Sequence, residues 1–140
     1  MASSSWLFAT AALHAQRATR ELQALYTFED DQGDTVRDRS GTGQPLDLKI
    51  ERADRVAWRD GALAIRTATS IVSTTPATKI VQAVKRSGEI SIEAWMTPAN
   101  SAQSGPARIV SLSSNSSQRN FTLGQETDTL DVRLRSTKTD

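Results

Sequence analysis

Glu89-Ile90-Ser91-Ile92-Glu93-Ala94-Trp95-Met96 alternates without a break. On an extended chain Ile90, Ile92, Ala94 and Met96 point to one face, and Glu89, Ser91, Glu93 and Trp95 to the other. One apolar and one polar-aromatic face is the pattern of a strand that packs on a partner sheet and looks outward on its other side. The segment therefore predicts a sheet protein.

Working outward, short alternating runs recur between turns. Leu22 to Phe28 places Ala24, Tyr26 and Phe28 on one face. Leu46 to Ile50 alternates as well. Val56-Ala57-Trp58 and Ala62 to Ile65 flank Asp60-Gly61, a hairpin signal. Ile71 to Ser73, Arg108 to Leu112, Phe121 to Gly124 and Leu130 to Arg135 follow. In the last, Leu130, Val132 and Leu134 are expected inside, with Asp131, Arg133 and Arg135 outside. One short helix is expected around residues 76–86. Thr75 can cap it, Pro76 suits its first position, and Gly88 stops it. Ala77, Ile80, Val81 and Val84 form its stripe, read as a surface helix covering one end of the sheets. The fold class is all-β, an antiparallel β-sandwich.

Composition bounds the function. The chain has 140 residues, with 17 Lys and Arg against 16 Asp and Glu. A net charge of +1 argues against nucleic acid or an anionic membrane as partner. With no cysteine there is no disulfide, thiolate nucleophile or thiolate metal site. No apolar run is long enough to span a bilayer. Residues 1–21 read as an N-terminal extension: helix, linker or remnant signal. Trp6 to Leu13 is apolar and Leu13-His14-Ala15 is a passable cleavage site, but the start lacks the basic residues of a secretory signal. Nothing orients the single His14 for a catalytic triad, and it has no second histidine as a metal co-ligand.

Four landmarks in order carry a resemblance. They are Leu25-Tyr26-Thr27-Phe28-Glu29 with Gly33, Thr35-Val36 and Asp38-Arg39-Ser40-Gly41; then Trp58, Asp60-Gly61 and Leu63; then Ile92-Glu93-Ala94-Trp95 with Pro98; then Arg108 to Leu112. Over about residues 22–137 the chain resembles bacterial laminin-G-like jelly-roll domains of the concanavalin A-like lectin and glucanase superfamily. The resemblance implies a jelly-roll domain over 22–140. It also implies further strands beyond a segment like Val132-Arg133-Leu134, so the domain is expected to be incomplete at its C-terminus, with open sheet edges. The implied function is a non-catalytic module for carbohydrate or cell-surface recognition, within a longer exported bacterial protein. Its place is extracellular, on the cell surface or periplasmic, and its partners are glycans, cell-surface components or other domains of the same polypeptide.

Three sets of residues are candidates for chemistry. Glycosidases of the same fold carry Glu-x-Asp-x-Glu on one strand, so Glu89 and Glu93 are the catalytic pair of an alternative reading as a glycoside hydrolase. Retaining hydrolysis needs two carboxyls about 5–5.5 Å apart with their pKa values pushed apart. Ser91 stands where the tuning Asp belongs and carries no charge. Trp58 and Trp95 are candidate sugar-stacking residues, with core packing as the competing reading. Glu29 to Asp38 holds five carboxylates among ten residues. Asp31, Asp34 and Asp38 are its candidate calcium ligands, against a solvated loop in which Asp38 makes an Asx-turn. A spacer domain without ligand is the remaining alternative. Asn115-Ser116-Ser117 and Asn120-Phe121-Thr122 match the glycosylation pattern.

Overall fold

The computed structural model describes residues 19–105, 107–115 and 117–136. The extension expected over 1–21, with the apolar stretch at Trp6 to Leu13 and His14, lies outside them as far as residue 18. The described chain is mostly strands in antiparallel sheets with one short helix, an all-β organisation. It divides into two compact units, one ending at Lys79 and the other beginning at Ile80.

The first unit holds five short strands: β1 (Thr35–Val36), β2 (Leu48–Ile50), β3 (Val56–Arg59), β4 (Ala62–Ile65) and β5 (Ile71–Ser73). Strands β1, β2 and β5 form one antiparallel sheet with β2 in the middle. Lys49 pairs with Thr35 on one side and Val72 on the other. Strands β3 and β4 form the expected hairpin, with Arg59 opposite Ala62. Its turn has positive φ at both Asp60 (46°) and Gly61 (74°). That is the type I′ backbone, which matches the twist of the flanking strands and favours glycine. Val36, Ile50 and Val56 are buried together, and Tyr26, Phe28, Leu48, Trp58, Leu63 and Ile71 pack against them.

The helix α1 (Thr78–Ser87) starts two residues later than the sequence suggests, with Pro76 just before it. The Gly88 amide donates to the Val84 carbonyl at 2.8 Å, and Gly88 has φ of 72°, so the stop falls as expected. Lys85 and Arg86 lie at the negative end of the helix dipole.

In the second unit β6 (Ala107–Ser113), β7 (Arg119–Glu126) and β8 (Thr129–Leu134) make an antiparallel sheet with β7 central. A two-residue turn at Thr127-Asp128 joins β7 to β8, with Thr127 at φ 54°. A β-branched residue is strained there. Three bonds hold the turn. The Thr127 amide donates to the Gln103 carbonyl, its hydroxyl to the Glu126 carbonyl, and Gln125 Nε2 to the Thr127 carbonyl.

Three expectations change. Glu89 to Met96, read as a core strand, belongs to no sheet. Alternation decides which side chains share a face; it does not supply the neighbouring edge that a strand needs. Leu22 to Phe28 likewise forms no strand, although Tyr26 and Phe28 do pack on the core. In β8, Leu130, Val132 and Leu134 share one face but are 55%, 64% and 61% exposed. They are not interior residues.

Candidate functional site

The acidic loop folds around one carboxylate. Asp38 has a side chain only 1% exposed and accepts four bonds. Its Oδ1 takes the amides of Ser40 (2.9 Å) and Leu25 (3.2 Å). Its Oδ2 takes the amide of Leu46 (3.0 Å) and the Lys79 ammonium (2.5 Å). The bond to Ser40 is the expected Asx-turn; the other three join segments 8 to 41 residues away. Burial by itself raises a carboxyl pKa. Here the Lys79 bond, then the Leu46 and Ser40 amides, outweigh burial and hold Asp38 well below the usual carboxylate range.

The neighbours are arranged around it. The Asp38 amide donates to Asp47 Oδ1 at 2.9 Å. The Tyr26 hydroxyl donates to the Leu46 carbonyl at 2.7 Å. Burial, then the charges of Asp38 and Asp47, push the Tyr26 phenol upward. Lys79 also reaches the Thr42 carbonyl, at 2.8 Å. Asp30, nearly buried, accepts from the Arg37 amide and from the Arg39 guanidinium at 2.6 Å.

The structure does not gather the three expected calcium ligands. Asp38 is surrounded by donors. Asp34 is half-exposed and pairs with Lys49 and the Thr35 hydroxyl, which lower its pKa. Asp31 is exposed, at φ of 62°. Among the described residues no group of three or more His, Asp or Glu is placed to hold a metal ion.

The two candidate tryptophans have opposite surroundings. Trp58 packs against the core of the first unit, and its Nε1 donates to the Gly33 carbonyl at 3.0 Å. It closes one side of a shallow groove whose rim is Asp31 to Asp34. Trp95 is 75% exposed. Its Nε1 donates to Glu93 Oε1 at 2.6 Å, which sets the ring beside a carboxylate. Glu93 is thus engaged by its own neighbour, and Glu89, also exposed, donates its amide to the Ser87 hydroxyl. The strand that would present both carboxyls to a substrate is not formed.

Lys79 and Asp47 were not singled out in the sequence. Lys79 sits in the first turn of α1, where a cation is unfavourable to the dipole, and that misplacement is the one signal pointing to a tertiary partner. Compared with protein-family models, curated proteins and solved structures, the chain matches none. No helix among the described residues is long and apolar enough to cross a membrane.

Proposed function

We propose that this chain is a non-catalytic, laminin-G-like recognition module that binds glycans or other cell-surface components as part of an exported bacterial protein. One observation carries the reading: Trp95 is held by Glu93 with its ring in solvent. An exposed indole beside a carboxylate offers a stacking face and an acceptor for sugar hydroxyls. The indole–carboxylate bond is already made without a ligand, so that pair need not form anew on binding. The order of the four sequence landmarks and the antiparallel all-β organisation support the same reading. Hydrolysis by Glu89 and Glu93 is the weaker one, because Ser91 cannot tune the pair and Glu93 already serves Trp95.

The test is a fluorescence titration of the full chain with soluble fragments of laminarin, lichenan, agarose and carrageenan. At least one is expected to shift the emission in the wild type and in Trp58→Phe, and to leave Trp95→Ala unaffected. No reducing sugar is expected. A panel without any shift removes the glycan reading. Sugar release that disappears in Glu89→Gln and Glu93→Gln replaces it with hydrolysis.

A further inference from the structure

The main chain from Ile90 to Met96 makes no backbone hydrogen bond among the described residues. It contains no helix, turn or bend and no residue with positive φ. Ile90, Ile92 and Met96 are each more than a third exposed on their shared face. In the same unit β8 is an edge strand, hydrogen-bonded on the β7 side, and its Leu130, Val132 and Leu134 are bare. An unpaired alternating segment and an open apolar edge are the two halves of a strand pairing.

From this we infer that the 89–96 segment adds as a strand to the β8 edge of a second copy of this chain. The antiparallel register that sets Glu93 opposite Arg133 also sets Ile92, Ala94 and Met96 opposite Leu134, Val132 and Leu130. Directly opposite residues share a face, so one register satisfies both the apolar and the charged side of the pair. A slip of one residue would put Ile92 against an arginine and Ala94 or Met96 against Asp131. Arg133 Nε already donates to Asp131 at 2.7 Å, and Glu93 Oε1 accepts from Trp95; the other Arg133 nitrogens and Glu93 Oε2 have no partner among the described residues. The occupant is a second copy because both complementary halves are written in this one chain, while within one molecule the segment pairs with no strand among the described residues. Exchange in both directions closes a two-fold dimer and removes both exposed edges. The face carrying Glu89, Ser91, Glu93 and Trp95 would stay outward, so the pairing does not depend on the glycan reading.

The experiment is sedimentation of the full chain over a concentration series, with circular dichroism to check folding. The wild type is expected to dimerise. Glu93→Arg and Arg133→Glu, both at exposed positions, are each expected to weaken the dimer roughly tenfold or more by placing like charges opposite each other. The double variant Glu93→Arg with Arg133→Glu is expected to recover it, since the pair is restored with signs exchanged. Ile92→Pro removes one backbone donor and is expected to weaken the dimer without rescue by any charge change. A monomer at every concentration overturns the inference. So does a dimer that the charge reversals leave unchanged, or a monomer whose Ile90 to Met96 amides are protected from hydrogen exchange, which would mean pairing within one molecule.

Discussion

The loop around Asp38 and the segment from Glu89 to Met96 make opposite use of similar material. Each is a short stretch with strongly patterned side chains. In this loop the carboxylates of Asp38 and Asp30 are drawn inward, and both oxygens of Asp38 find donors. Around Trp95 the residues that looked buried are left in solvent. A buried charge must be fully satisfied by the fold that buries it, so its partners are necessarily present. An apolar face carries no such obligation. It records what a segment is suited to cover, whether or not that cover is there.

The comparison is broken most severely at Asp38. Asp38→Ala strands the Lys79 ammonium, whose side chain is only 15% exposed, and leaves the amides of Leu25, Ser40 and Leu46 without an acceptor. Removing one partner of a buried pair costs about 3–5 kcal/mol. Denaturant unfolding should register that loss, and a change under about 1 kcal/mol would show that the network is ornamental. Acid gives a second route to the same group. Its folded pKa lies below the unfolded value of about 3.9, so its stabilisation is fully present above about pH 4 and is lost as pH falls through the folded value. Asp38→Asn should flatten that acid limb of the stability profile. Tyr26 acts with the opposite sign. Its pKa is raised, so its contribution is intact below about pH 10 and is lost in stronger base.

A smaller effect is expected at Thr27, whose buried hydroxyl has no partner among the described residues. Thr27→Val keeps the shape and removes that group, and should raise stability by about 1 kcal/mol in the same unfolding assay. Smaller still is Ile92→Ser at a concentration where the chain is monomeric. The residue is already 40% exposed and lies in no sheet, so the change should stay within about 0.5 kcal/mol. A loss of 2 kcal/mol or more would mean that the segment is a core strand after all. The smallest is calcium. With Asp31, Asp34 and Asp38 kept apart, the melting temperature should be the same in millimolar calcium and in chelator. A rise that Asp34→Asn abolishes would restore the loop as a metal site.

The hairpin at Asp60-Gly61, the helix with its Gly88 stop and the three strands of the second unit were legible because their signals are local. A type I′ turn needs positive φ at two adjacent residues, a helix end needs an αL residue, and alternation needs only its own period. The Asx-turn at Asp38 was legible for the same reason, since it joins residues two apart. Leu22 to Phe28 has the pattern of a strand without the pairing, because pairing depends on what lies beside it. The role of Lys79 was not legible: its partner is 41 residues distant. Nor could the two tryptophans be told apart, for each sits in an alternating run with equal claim to core or surface.

By itself the sequence determined the all-β class, the positions of the turns and helix end, and which side chains share a face. These depend on φ, ψ preferences and on the two-residue and 3.6-residue periods, properties of the chain within a few residues. Only the tertiary structure decided that Asp38 is buried and paired, that Trp58 packs while Trp95 projects, and that Glu89 to Met96 and the apolar face of β8 are exposed. Burial and pairing depend on which distant segments arrive at the same place, and no local period encodes that.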